Sequence, residues 1–204
     1  MSRAALLIDA GTGNLHSVHN ALLNLGFEIR ITDRPEDLAT PARIILPGVG
    51  AFGRFMAGLR AAGLVEPLRQ AVRRGDPLLG ICVGMQALFE VGEEMGQHPG
   101  LGLLAGRVVH FPPLGALKVP HTGWNQLWPA RPSALLAGIP AGAYAYFNHS
   151  YYCAAYNPAD VLATTDYGLN VPCVVESGAL VAVQFHPEKS QLVGQRILSN
   201  FMSL

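Results

Sequence analysis

The sequence predicts an α/β fold: an open, mainly parallel twisted sheet with helices on both faces and an antiparallel strand excursion in the second half. Three observations carry that expectation. Short apolar runs alternate with amphipathic helical segments as far as Glu90, a pattern that implies parallel strands joined by right-handed crossovers. Beyond Gly92 the helical periodicity gives way to short segments rich in proline, glycine and aromatics. Half of the 204 residues are hydrophobic, ample for one sizeable core. No repeat, low-complexity tract or linker divides the chain, so residues 1–204 are read as a single domain.

Taken in order, Ala4 to Ile8 is a short apolar run ending at Asp9, followed by the turn Gly11-Thr12-Gly13-Asn14 and an amphipathic segment, Leu15 to Leu25, that closes on Gly26. The Gly-Thr-Gly turn lacks the third glycine of a dinucleotide fingerprint and the lysine of a P-loop, so it reads as a simple tight turn. Phe27 to Ile31 is a second strand, and Arg43 to Leu46 a third, halted by Pro47. Phe52 to Arg60 and Leu64 to Arg74 carry helical spacing. Leu78 to Glu90 then reads as a buried strand, a tight turn and a helix. The later segments, Leu103 to Phe111, Lys118 to Trp128, Ala143 to Tyr152, Val161 to Tyr167, Cys173 to Glu176 and Ala179 to Phe185, read as strands and hairpins, with Glu176-Ser177-Gly178 a tight turn. Ser190 to Met202 returns to helix.

Lys+Arg and Asp+Glu balance at 14 each, so no charge excess points to nucleic acid or to an anionic membrane. Glycine, proline or charge breaks every apolar run short of the roughly 20 residues of a membrane span. Asp9 interrupts the first apolar run, so no signal peptide is expected, and three widely separated cysteines imply a reducing cytoplasm. Cys153 and Cys173 lie in apolar runs and read as buried packing residues. His16, His19, His98 and His110 show no ligand spacing among themselves; neither metal nor cofactor is expected, and His121 and His149 read as satisfied structural histidines.

Two motifs carry chemistry. Gly80-Ile81-Cys82-Val83-Gly84 has the form of a nucleophile elbow, in which a strained strand-to-helix turn lifts the nucleophile between small neighbours. There Cys82 would sit at a helix N-terminus, where the dipole favours a thiolate; alternatively it is a small buried hydrophobe. The second motif is Gln184-Phe185-His186-Pro187-Glu188-Lys189. Proline keeps His186 extended, so residues i and i+2 share a side and Glu188 can orient the imidazole, giving a Cys82-His186-Glu188 triad. The zinc-deaminase reading of H-x-E fails because no P-C-x-x-C follows. Acyl transfer also needs oxyanion donors. Pro47-Gly48-Val49-Gly50 follows a strand and its glycines let backbone N–H groups approach a ligand, with the N–H of Val83 as a further donor. Gln86, four residues after Cys82, could reach the same pocket or could be an ordinary exposed glutamine.

The pairing of G-I-C-V-G-M-Q with Q-F-H-P-E-K-S resembles the class I glutamine amidotransferases. Asp9-Ala10-Gly11-Thr12-Gly13-Asn14-Leu15, Leu46 to Gly53, His121-Thr122-Gly123-Trp124-Asn125 and Phe147 to Tyr152 resemble, more narrowly, the glutaminase subunits of imidazole glycerol phosphate synthases, essentially end to end. Ala10 and Val83 depart from the tyrosine and leucine common there. The resemblance implies hydrolysis of L-glutamine by Cys82, His186 and Glu188, an oxyanion hole from Val49, Gly50 and Val83, and a glutamine pocket lined by Gly48, Gly50, Gln86, Ser150 and Tyr151. It also implies a (β/α)8-barrel cyclase subunit as heterodimer partner, which receives the ammonia. Trp124 and Lys189 are the candidates for that partner face, although a tryptophan in such a run is more often core. A self-sufficient amidohydrolase of the same superfamily is the alternative. The glycine-flanked Val49 further suggests that the oxyanion loop is a regulated element.

Overall fold

In the computed structural model, which describes residues 4–12 and 14–204, the parallel half of the sheet is built from β1 (Ala4–Ile8), β2 (Glu28–Thr32), β3 (Ile44–Gly48) and β4 (Leu78–Cys82). Four helices have the amphipathic spacing that buries one stripe: α1 (Leu15–Asn24) through Val18 and Leu22, α2 (Phe52–Ala61) through Phe52, Phe55, Met56 and Leu59, α3 (Val65–Arg74) through Leu68 and Ala71, and a last helix, Gln191–Phe201, through Ile197, Leu198 and Phe201. The left-handed Gly75 ends α3, with φ of 92°. Gly11 is likewise left-handed and donates its N–H to Asp9 Oδ1 at 2.8 Å; the rest of the predicted Gly-Thr-Gly turn includes Gly13, outside the described residues.

The elbow corrects one expectation. The helix after Cys82 is a single turn, α4 (Val83–Gln86), and the chain then runs into β5 (Phe89–Gly92) and β6 (His98–Pro99). Residues 81–89 are buried throughout, so the spacing of Met85, Leu88 and Phe89 reflects burial on all sides rather than one helical face. The carbonyls that a longer helix would use accept instead from the returning chain: Leu101 N donates to Ala87 O, Leu103 N to Leu88 O and Gly102 N to Phe89 O.

The second half supplies β7 (Leu104–His110), β8 (His121–Pro129), β9 (Ala143–His149), β10 (Tyr151–Ala155), β11 (Val161–Asp166), β12 (Asn170–Ser177) and β13 (Leu180–Val183), ending in the helix α5 already given as Gln191–Phe201. A nine-stranded sheet runs β2-β1-β3-β4-β13-β12-β11-β8-β9 and a four-stranded one β10-β7-β5-β6. From β2 to β13 the large sheet is parallel; from β13 to β9 it is antiparallel. The β12–β13 hairpin turns at Gly178, φ 61°, where the turn was expected. Two details differ from expectation. Pro47 does not halt β3, because β1 pairs with β3 only through Ile44 and Ile45, leaving Pro47 on a local edge where its missing N–H is tolerated. Ala143 to Tyr152 is not one strand: the chain leaves the large sheet after His149 and enters the small one at Tyr151.

Candidate active site

The C-terminal ends of β3, β4 and β13 meet where ligands bind in open α/β sheets. Cys82 closes β4 with φ 55° and ψ −111°, a conformation unusual for a residue with a side chain. What forces it is packing. A Cβ on Gly84 would lie 1.8 Å from Leu46 O, and one on Gly80 would lie 2.9 Å from Gly84 O, so only glycines let the turn press against β3. The first N–H groups of α4, which directly follows Cys82, have no intrahelical acceptor.

His186 follows β13, pinned by its own N–H to Tyr146 O at 2.9 Å and by Ser190 Oγ donating to its carbonyl at 2.7 Å. Its Nδ1 lies 2.9 Å from Glu188 Oε1, and the Glu188 side chain is only 1% exposed. Burial disfavours a charged imidazole, but hydrogen bonds to Cys82 and Glu188 and the charges of both outweigh it, raising the His186 pKa to about 10. The ring thus lies between a sulfur and a carboxylate, surroundings that favour its protonated form. Cys82, His186 and Glu188 are brought together, but not through extended chain: only His186 is extended, and Pro187–Lys189 forms a 3-10 turn, closed by Lys189 N donating to His186 O at 3.0 Å, that carries the Glu188 carboxylate back to the ring.

The pocket in front of Cys82 has a volume of about 630 Å³ and takes its walls from Val49, Gly50, Val83, Gln86, Ser150, Tyr151, His186 and Lys189, among others. Gly50 is left-handed, φ 83°, with nothing within 4 Å of the place a Cβ would occupy. Gly48 is a correction: it is buried beneath the elbow in register with Cys82, and its Cβ would meet Gly84 N at 2.8 Å, so it packs rather than lining the pocket. Gln86 is 4% exposed, which removes the reading of a solvent-facing glutamine; its Nε2 donates to Tyr151 O at 3.0 Å and to Gln184 Oε1 at 3.2 Å. Trp124, expected either as core or on a partner face, is 47% exposed and meets Tyr146 edge to face. Lys189 Nζ lies 5.9 Å from the same tyrosine ring, so exposed Trp124 and Lys189 flank a half-buried Tyr146 beside the pocket mouth.

Sequence reasoning missed Glu94, which lines the pocket while its Oε2 accepts from Phe52 N at 2.7 Å, fixing the start of α2 just after Gly50. No local signal marks it, because the partner is 42 positions away. His149, read as structural, both lines the pocket and is satisfied: its Nδ1 reaches Tyr151 O at 2.9 Å and its Nε2 meets His121 Nδ1 at 3.1 Å. Cys153 and Cys173 are buried as expected.

Burial lowers the pKa of His121 to about 4 and that of His149 to about 3. Unfolded, both would charge near 6.5, so below that pH the unfolded chain binds more protons and stability falls. Their contribution is complete above about pH 6.5 and is lost as pH drops toward 4 and 3; the raised His186 behaves oppositely, its contribution fading between about 6.5 and 10. Urea unfolding should lose about 1.4 kcal/mol per pH unit for each such histidine in the acid window. His121→Gln should flatten that slope by about one proton, and an unchanged slope would remove the histidines as its cause.

Fold and site geometry define a class: an α/β hydrolytic site with a cysteine on an elbow and a carboxylate-oriented histidine. A model of the family described as glutamine amidotransferase class-I matches residues 6–204, and the chain belongs to that family. Among its curated relatives, the imidazole glycerol phosphate synthase subunit HisH of Desulfitobacterium hafniense (strain DSM 10664 / DCB-2) is 49% identical over 195 residues, covering 96% of this chain and 92% of that protein. The subunit HisH of Moorella thermoacetica is 48% identical over 202 residues, covering 99% and 95%. Within the class the chain is thus a member of the HisH family. Solved structures share the fold: one titled crystal structure of glutamine amidotransferase, at 22% identity and TM-score 0.76 with both chains fully covered, and PurLQS from Thermotoga maritima, at 20% and 0.75, covering 100% of this chain and 99% of that one. Among the described residues no helix is long and apolar enough to cross a membrane.

Proposed function

We propose that this chain is the glutaminase subunit of an imidazole glycerol phosphate synthase, acting as one cytoplasmic domain that hydrolyses L-glutamine and passes ammonia to a cyclase subunit. The observation that carries the reading is the His186 ring, oriented by the buried Glu188 carboxylate 2.9 Å from its Nδ1 and sharing one pocket with Cys82. The Cys82 thiolate attacks the side-chain amide carbon of glutamine. The oxyanion is met by N–H groups of Val49 or Gly50 and of Val83. His186 gives its proton to the nitrogen as the carbon–nitrogen bond breaks, releasing ammonia and leaving a glutamyl thioester. Water then attacks the thioester, His186 takes its proton, and the carbon–sulfur bond breaks to restore the thiolate and release glutamate. In this reading Ser150 and Tyr151 contact the substrate through backbone groups, and the Glu94 carboxylate attracts its α-ammonium.

Ammonia released into water would be protonated, so the mouth must close against the partner. The Trp124, Tyr146 and Lys189 cluster is the natural anchor, since exposed aromatics concentrate binding energy. Trp124→Ala should weaken the complex by about 2 kcal/mol, or roughly 30-fold in Kd by titration; unchanged affinity would take Trp124 out of the interface. The deciding experiment on function measures ammonia release from glutamine by the chain alone, with the cyclase, and with the cyclase holding its nucleotide ligand. Turnover should be low alone and rise by about 10²-fold or more in the liganded complex, the scale of one oxyanion donor brought into line. Gly50→Ala, strained at φ 83°, should blunt that rise. Robust turnover of the isolated chain would favour a self-sufficient amidohydrolase.

A further inference from the structure

We propose that Gln184 is a positioning residue for the nucleophile: its side-chain amide donates to Cys82 Sγ and holds the sulfur as a thiolate facing the pocket. The proposal deepens the glutaminase reading and rests on it, although the sulfur can be probed without glutamine. Gln184 is fully buried, and its Nε2 lies 3.8 Å from Cys82 Sγ, within reach of an N–H to sulfur contact. What makes this more than proximity is that its amide can point only one way.

The direction is set by a chain of partners that begins at a carbonyl. Tyr151 O can only accept, so His149 Nδ1, 2.9 Å away, carries the hydrogen. His149 is neutral, which makes its Nε2 an acceptor and His121 Nδ1, at 3.1 Å, the donor to it. His121 Nε2 then accepts from Asn125 Nδ2 at 3.2 Å, whose amide also donates to Asp166 O at 2.8 Å. The same Tyr151 carbonyl needs a nitrogen from Gln86, at 3.0 Å. The second hydrogen of that nitrogen points at Gln184, 3.2 Å away, so the facing Gln184 atom must be Oε1. Nε2 of Gln184 is left toward the sulfur. A flipped Gln184 would set two N–H groups against each other and a carbonyl oxygen against the sulfur. The donor is therefore fixed before the reaction begins, in a site where a hydrogen bond to an ion is roughly twice as strong as a neutral one.

Among the described residues, His186, from the segment after β13, and Cys153 on β10 interact with Cys82 electrostatically, and Glu94, His149, Tyr151 and Lys189 line the same pocket. Burial, with the Cys82 charge, pushes the Cys153 thiol well up, so it stays neutral. None of these is altered by changing Gln184.

The test is the pH dependence of Cys82 alkylation by iodoacetamide, with Cys82→Ala as blank. Gln184→Met keeps the volume and removes the donor; Gln184→Glu keeps the shape and places an acceptor or a negative charge there. For Gln184→Met the alkylation midpoint should rise by about one pH unit, and the rate at about pH 6 should fall about tenfold. Gln184→Glu should raise the midpoint further. In the cyclase complex, kcat for glutamine should fall with KM held, and ammonia-dependent synthesis should be unchanged. Folded variants whose midpoint coincides with the wild type would overturn the proposal. Should neither variant fold, wild-type protein labelled with [15N]glutamine decides: a side-chain amide signal that moves as pH crosses the alkylation midpoint is expected, and the absence of any such signal overturns it.

Discussion

Cys82→Ala is expected to abolish glutamine-dependent synthesis by the complex while leaving ammonia-dependent synthesis by the cyclase intact. The loss should reach at least about 10⁴-fold, because removing a nucleophile that acts as a unit with its base forfeits nearly all of their joint contribution. The alanine loses one sulfur at a site that is 4% exposed and strained in the native turn, so folding should survive it. Steady-state synthesis from glutamine and from ammonium salt, side by side, checks the result. Equal loss of both activities would make Cys82 a structural residue.

Gly84→Ala should have a large effect on stability. Its Cβ would lie 1.8 Å from Leu46 O and 2.9 Å from Leu46 C, well inside contact, and the opposing atoms are backbone of a buried central strand rather than a yielding side chain. Overpacking of a close-packed interior typically costs 1–3 kcal/mol and more where nothing can give, so a loss of about 3 kcal/mol or greater is expected. Glutaminase activity should fall with it, since the same displacement carries Cys82 away from His186. Urea unfolding of the isolated chain measures this. A variant within about 1 kcal/mol of wild type would show that β3 and the elbow separate more easily than their packing implies.

The parallel half was readable in the chain because each of its elements carries its own period: Ala4 to Ile8 and Leu78 to Cys82 are uninterrupted apolar runs, and Val18 with Leu22, or Phe52 with Phe55, Met56 and Leu59, mark one helical face. The proposed triad is partly readable for the same local reason. Glycines flank Cys82, and His186 and Glu188 stand two residues apart, which keeps them close in the chain, although their contact is made across the 3-10 turn Pro187–Lys189 rather than along extended chain. What was not readable depends on distant partners. The one-turn length of α4 is decided by carbonyls that the segment after Pro99 captures. Glu94 acquires its place from Phe52, and Gln184 from Gln86, 98 positions earlier. The resemblance places both Gly48 and Gly50 in the pocket, but register with Cys82 puts Gly48 beneath the elbow, which no local feature of the loop reveals.

The passage from β9 to β10 has one residue, Ser150, between two sheets. On one side His149 is in register with His121; on the other Tyr151 is in register with His110 and Cys153 with Val108. Side chains alternate along each strand, so adding or removing a single residue here would turn Cys153 out of the core and Tyr152 into it. It would also displace Tyr151 O, the carbonyl on which His149 and Gln86 both converge. The seam therefore behaves as a ruler of fixed length. Substitution at Ser150 should be absorbed if, as proposed, substrate meets only the backbone there, whereas insertion or deletion should not. In a library of length variants, Ser150 should be the position where tolerance of one-residue changes drops sharply while tolerance of side-chain identity remains.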